Sequence, residues 1–557
     1  MIWQIGNTTV RNPNRIREGL IAYSNYGEIM DLHKSGNTEA QRKLFDCLKS
    51  EGVIQSEEKS DDDKEWFARK WRLSFTEMGL ISNKNRLYRS GEITKTGHAL
   101  INADNEAEIQ NIFLRILYNL EYRKKKDSKT IFRPLNHTLK ILYQIQALTG
   151  SSYISYHEFS LFVQDYNFHQ STQDYVNNII SFRNEILKHK GKIKPFLKSK
   201  YEEIANNNNL KPTTIRSDYP DVSIRLLKLS GLIINKGRGI KLNPQYNSLF
   251  NVLIEDVSVF ENKEDYYINL SDLPSIPTDS KRELLINVIK KDFEYITKYN
   301  SGFKEVNYSL TNKELEVERV KQNLEILKIN EKLFASSQKN KTQVICKWYE
   351  CLIDNNKIKD ESIFGESIDF ESDERPKYLE WITWRAFLSI NKIKNPPYDS
   401  RKFKIDTEFK PIHHAPSNTP DLVFEFEEFV LVIEVTFSTS STQYSMEGEP
   451  VLRHVAKVAK IYNKPTFGLF LATKIDVNLA HLFLSKKVWF DNDQNQIPTP
   501  VVPIGINSFL QFFTKVPKSQ SSNPDILFSI INNSLKSDHS NPNLWIEHIE
   551  KCFNTGF

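Results

Sequence analysis

Phe429 to Phe437 read FVLVIEVTF, an apolar run broken only by Glu434 and Thr436. A short run of this kind, bounded by polar residues and rich in β-branched side chains, forms a strand buried on both faces. The chain must therefore build a covered sheet, and Glu434 must sit inside it. A carboxylate in such a place costs several kcal/mol unless a partner compensates it, so Glu434 is expected to face a cation. The flanking sequence supplies more of the same chemistry. Pro420-Asp421 opens the preceding strand LVFEF, Asp421, Glu434 and Glu447 recur every thirteen residues, and His454 follows seven later.

A chain of 557 residues exceeds what one hydrophobic core organises, so three or more domains are expected. Net charge is unevenly spread: +11 over residues 1–250 and −6 over 251–557. A basic amino-terminal half suits a polyanion such as DNA, and an acidic carboxy-terminal half suits a divalent metal. The four cysteines, Cys47, Cys346, Cys351 and Cys552, are scattered, with only Cys346 and Cys351 close together. They complete no zinc site, read as small packing residues, and point to a reduced, cytoplasmic compartment. No stretch approaches the ~20 apolar residues of a membrane span, and Met1 is not followed by the apolar core of a signal peptide.

Along the chain, residues 40–101 read as two helices ending in Gly79-Leu80-Ile81, then a basic turn and a return strand. Residues 221–254 repeat that ending: a basic amphipathic helix, Gly231-Leu232-Ile233, a turn through Lys236 and Arg238, and a strand. The order helix, strand, turn, strand suggests winged-helix modules over 1–105 and 106–260. A proline- and acid-rich patch marks 261–310 as a linker, and 311–557 reads as helices bracing an α/β domain with a mixed sheet.

Hydrolysis of a phosphodiester at neutral pH needs an activated water and neutralisation of charge on the phosphate and leaving oxygen. Mg²⁺ supplies both, prefers hard oxygen ligands and keeps several waters, so two or three carboxylates suffice. Asp421 and Glu434 form the core pair. Thr436 stands two residues after Glu434, where many nucleases carry lysine, and cannot donate positive charge. Glu447 and His454 are the nearest groups able to handle the proton, with Arg453 as a further phosphate contact. Upstream, Glu380 lies in the strongly apolar helix KYLEWITWRAFLSI and is expected to add a third ligand, while His413 and His414 read as loop residues holding the site.

LEWITW, PIHHAPSNTPD, EVT and SMEGEPVLRH closely resemble the catalytic segments of the AlwI-type Type IIS restriction endonucleases and their strand-specific nicking relatives. The likeness is strong over about 375–475 and weak in the amino-terminal half. It implies mainly α, winged-helix recognition modules, a linker, and a carboxy-terminal α/β PD-(D/E)XK nuclease domain with a mixed central sheet. Carried over by motif, it makes Glu380, Asp421, Glu434, Glu447 and His454 catalytic, the four carboxylates metal-binding, and Mg²⁺ the cofactor. The family motif also has threonine after EV, so Thr436 is no departure. The resemblance further implies double-stranded DNA as substrate, a bacterial cytoplasmic location, and a transient homodimer or small nuclease subunit wherever both strands are cut.

Taken singly, a Pro-Asp pair is commonly a turn and a strand glutamate an ion-pair residue; their combination in an apolar frame is what carries meaning. Surface Lys and Arg are ordinarily solvated, and recognition elements present about 3 or 4 base-reading side chains. With that restriction, the candidate DNA contacts are Arg69, Lys70, Arg72, Lys84, Arg86 and Arg89 in the first module. In the second they are Thr213, Thr214, Arg216, Arg225, Lys236 and Arg238. The run Arg123 to Lys126 reads as a phosphate contact or a solvated face. The expected activity is a Mg²⁺-dependent endonuclease that reads a short asymmetric site with 1–260 and cuts outside it. A strand-specific nickase, a DNA-binding regulator with a degenerate nuclease fold, and a structure-selective repair nuclease are the alternatives.

Overall fold

Two units make up the computed structural model, Met1–Ile326 and Leu327–Phe557, about 60% helical with a small mixed sheet. It describes the chain apart from residues 11, 14, 27–37, 55–59, 84, 124–130, 190–192, 256–257, 355–361, 364–365, 368–369, 371–373, 417, 516–521, 537–539 and 556–557. The four cysteines are unpaired in disulfide terms, three of them buried. Among the described residues no helix is long and apolar enough to cross a membrane.

In the first unit, α1 (Thr38–Ser50) and α2 (Asp61–Glu77) pack into one core, to which Leu44 and Leu48 come from the first helix and Ala68, Trp71 and Phe75 from the second. Ser60 caps α2 by accepting from the Asp63 amide, and three aspartates in the first turn favour the positive end of the helix dipole. The helix stops at Gly79, whose φ of +69° lets the Leu80 amide reach back to Phe75 O at 2.9 Å. The second copy behaves alike: α3 (Tyr219–Lys228) is followed by Gly231 at φ +73°. The repeated Gly-Leu-Ile is thus a helix stop built on left-handed glycine. After it, β1 (Ile233–Lys236) and β2 (Gly239–Leu242) form the expected antiparallel hairpin, to which Ile154 adds a bridge at Ile240.

The first copy departs from its expected hairpin only in length. Ile81 bridges Ile93, the Ser82 amide donates to Glu92 O at 2.8 Å and the Thr94 amide to Leu80 O at 3.0 Å, and the Asn85 side chain accepts from the Leu87 and Tyr88 amides and turns the chain there. The segment 261–310 departs further, since it is folded into the first unit. Tyr266, Leu270, Ile276 and Val288 join the same hydrophobic core as Trp3, Leu44 and Leu139, while Leu285 and Ile289 of α4 (Arg282–Thr297) pack in a small cluster with Val306 and Leu315. The acid that made 279 look solvated takes a bidentate ion pair from buried Arg115, at 2.6 and 2.8 Å. One core also spans both proposed modules, 1–105 and 106–260. The division between units falls within the helix Asn312–Ser337 (α5).

In the second unit, α6 (Thr342–Asp354) and α7 (Arg375–Leu388) lead into β3 (Leu422–Glu425), β4 (Val430–Thr436), α8 (Ser440–Tyr462), β5 (Thr466–Ala472), β6 (Val501–Gly505) and α9 (Ile506–Lys515). The sheet order is β6-β5-β4-β3, with β3 antiparallel to β4 and the other pairs parallel. Every side chain of β5 is buried, as its run TFGLFLA requires. α7 packs on the face carrying Phe424, where Phe387 stacks at 5.5 Å. α8 covers the other face, approaching closest over Gly468.

Candidate active site

The β3–β4 ladder explains the first thirteen-residue interval. Leu422 pairs with Ile433, so Asp421 and Glu434 lie opposite one another at the same end of the antiparallel pair, on one face of the sheet. Asp421 Oδ2 accepts from the Val435 amide at 2.9 Å. The seven-residue step that follows is two turns of helix and places Glu447 and His454 on one side of α8. Thr436 stands near Glu447 and favours its charged form against the effect of burial. His454 Nδ1 stands 2.6 Å from Glu434 Oε1, with both side chains buried. From α7, Glu380 is 6% exposed. Its Oε1 meets His414 Nδ1 at 2.6 Å and its Oε2 accepts from the Ala415 amide at 3.0 Å.

The five residues singled out in the sequence are therefore brought together from α7, β3, β4 and α8. His414 has a more definite role than a loop residue, since it holds Glu380; the signal for that contact is its position in PIHHAPSNTPD, seven residues before Asp421. His413 ends the short strand Pro411–His413.

Burial, then Glu434 and Glu380, push the Asp421 carboxyl well above the usual carboxylate range. Burial, then Glu447, does the same to Glu434, and burial raises Glu447. Burial and the Arg453 and Lys457 charges lower His454 to about 4. Which of the two donates across the His454 Nδ1–Glu434 contact depends on the imidazole tautomer. Nε2 is buried and has no partner among the described residues.

Four hard oxygen donors, among which Asp421 and Glu434 are raised by the acids around them, fit a divalent cation, which would replace the protons of those two. Among the described residues, no three His, Cys, Asp or Glu side chains stand close enough together to hold an ion by themselves.

The candidate DNA contacts divide. On α2, Arg69 donates to Glu65 O at 3.3 Å, Lys70 lies over the Trp66 ring, and burial lowers the half-buried Arg72. Arg86 pairs with Asp265 at 2.9 Å and the Arg89 amide with Glu92 at 2.7 Å, while Lys84 lies outside the described residues. In the second group, Arg225 pairs with Asp221 at 2.8 Å. Thr213 and Thr214 open a π-helical turn that carries Arg216. Arg216 and Arg238 both lie near His157, whose pKa falls through burial and these two charges, and Lys236 lies over the Tyr153 ring at 5.7 Å. Hairpin and π-turn thus bring three basic residues together with His157 and Tyr153, which sequence reasoning missed because their proximity is tertiary. Of the run Arg123 to Lys126, only Arg123 is described; it pairs with Glu121 at 2.6 Å.

The family model described as AlwI restriction endonuclease matches residues 76–512. The chain belongs to that family. The resemblance read from LEWITW, PIHHAPSNTPD, EVT and SMEGEPVLRH is borne out, and membership in the AlwI restriction endonuclease family makes the chain a nuclease that acts on DNA. Similar solved structures include the small subunit (R.BspD6I2) of the heterodimeric restriction endonuclease R.BspD6I. It is 25% identical, with 38% of this chain and 98% of that chain covered and a TM-score of 0.29. Restriction endonuclease FokI is 11% identical, with 93% and 97% covered and a TM-score of 0.23. No curated protein matches the sequence.

Proposed function

We propose that this family member is a Mg²⁺-dependent Type IIS endonuclease. It would bind a short asymmetric double-stranded site through winged-helix-like elements of the first unit and cut outside it with a PD-(D/E)XK site in the second. The convergence of Asp421, Glu434, Glu447, Glu380 and His454 at one end of β3 and β4 carries this reading. Mg²⁺ held by Asp421 and Glu434 would activate a water and neutralise charge on the phosphate. The chain's own residues handle the proton. Once Glu434 is ionised, its contact with His454 requires the proton on Nδ1, so Nε2 becomes an acceptor able to take a proton from attacking water. His414 with the Ala415 amide fixes both oxygens of Glu380.

One such cluster hydrolyses one strand, which favours a second reading: acting alone the chain nicks, and double-strand cleavage needs a second copy or a small nuclease subunit. Incubation of the purified protein with plasmid and Mg²⁺ separates these readings. Discrete fragments indicate paired cuts, open circles a nickase, a smear a non-specific nuclease, and no change a regulator with a degenerate site. Asp421→Ala and Glu434→Ala should bind DNA without cutting it; full cleavage by either variant would sink the mechanism.

A further inference from the structure

Beside the Pro420-Asp421 turn, a cleft of about 610 Å³ opens between β3, the carboxy-terminal half of α8 and the segment 394–402. Most of the charge around it is internally matched: Lys394 pairs with Glu427, and Glu425 with Lys464. Two lysines of the lining differ. Lys402 Nζ donates to the Asp399 carbonyl at 2.9 Å and Lys457 Nζ to the Asn418 carbonyl at 3.4 Å, and neither has a carboxylate in salt-bridging range among the described residues. Lys402 is half-buried, and a partly desolvated ammonium bonded to a carbonyl, with the Asp399 charge acting on it from beyond salt-bridging range, favours a further anion beside it.

Both lysines are tied to the site by backbone contacts. The Lys402 amide donates to the Asp421 carbonyl at 3.2 Å, so its ammonium is registered to the start of β3. Asn418, at φ +66°, is held from α8 by Arg453 Nη1 on its Oδ1 at 2.8 Å as well as by Lys457. A backbone strained in this way and braced from a second element is a sign of a positioned loop. Thr436 leaves the strand position two after Glu434 without a cation, and these lysines place positive charge on the other side of Asp421.

We propose that Lys402 and Lys457 bind a backbone phosphate of the strand being cut, adjacent to the scissile one, as positioning residues. The inference rests on the endonuclease reading above. Ammonium groups contact the non-bridging phosphate oxygens, and the contact carries no base information.

The test uses the full-length protein, Mg²⁺ and a long mixed-sequence double-stranded DNA whose cut ends are counted by sequencing, at several salt concentrations. Lys402→Met and Lys457→Met should each raise KM about 10-fold with kcat within about 3-fold, and lower the slope of log affinity against log salt by about 0.9 per lysine. Lys402→Arg should stay within about 3-fold of wild type. Because Lys457 is exposed, Lys457→Glu carries the test if Lys402→Met unfolds. Unchanged KM and salt slope in the Lys457 variants, or a Lys402→Arg as damaging as Lys402→Met, would overturn the proposal while leaving the nuclease reading intact. A wild-type protein that cuts no DNA overturns both.

Discussion

Asp421 and Glu434 face one another across a ladder, each raised by burial and by the other acids around it. An acid whose folded pKa exceeds its unfolded value binds more protons when folded, so it costs stability as pH rises above the unfolded value. Asp421→Asn removes one of the interacting charges. In EDTA at neutral pH it should raise Tm by about 2–4 °C while cleavage in Mg²⁺ falls on the order of 1,000-fold or more. A thermal scan paired with the plasmid assay checks both; a fall in Tm of that size would mean these acids stabilise the fold. His137 titrates in the opposite sense. Burial lowers it to about 4, and its Nε2 lies 3.2 Å from Val163 O. A depressed histidine contributes stability that is complete above about 6.5 and lost as pH falls towards 4. Removing that sensitivity with His137→Gln should flatten the pH dependence of unfolding by about 2 kcal/mol between pH 7 and 4, read from urea midpoints.

At the scale of elements, α8 carries Glu447 and His454 and rests on β5 at its one glycine. A Cβ on Gly468 would meet Val501 Cγ2 at 2.8 Å and Val455 Cγ2 at 2.9 Å, and Val455 is the neighbour of His454. Gly468→Ala must push α8 off the sheet. It should lower stability by about 1–3 kcal/mol and activity by at least about 10-fold, since small displacements of reacting groups are costly. Full activity with lowered Tm would show that the site tolerates the shift. The strands here were legible because an apolar run with one acid has few ways to fold, and the antiparallel pair turned a sequence interval into a facing pair. His414 on Glu380, Lys402 beside Asp421 and Arg238 beside His157 were not, because each contact joins residues whose separation is set by packing rather than period. The first return pairs over a shorter stretch than the second, Leu80 to Ser82 with Gly91 to Thr94, because Asn85 turns the chain just beyond it.

The whole molecule has two large separate cores, one from Trp3 to Val288 and one from Val344 to Phe553. Independent cores predict two calorimetric transitions, and both Mg²⁺ and Asp421→Asn should move only one of them. A single transition shifted throughout would contradict that. The segment 261–310 misled because composition was read in place of pairing: Asp279 looks solvated until Arg115 is found beside it, and Tyr266, Leu270 and Ile276 are too sparse to show a helical stripe. The side chains that form the acid cluster, by contrast, all lie between Glu380 and His454, within one unit. A recombination event can therefore carry that whole stretch as a single inherited block, and under the proposed division of labour it can join a different reading half. Lineages of such chains should change which sequences they address more readily than how they break them.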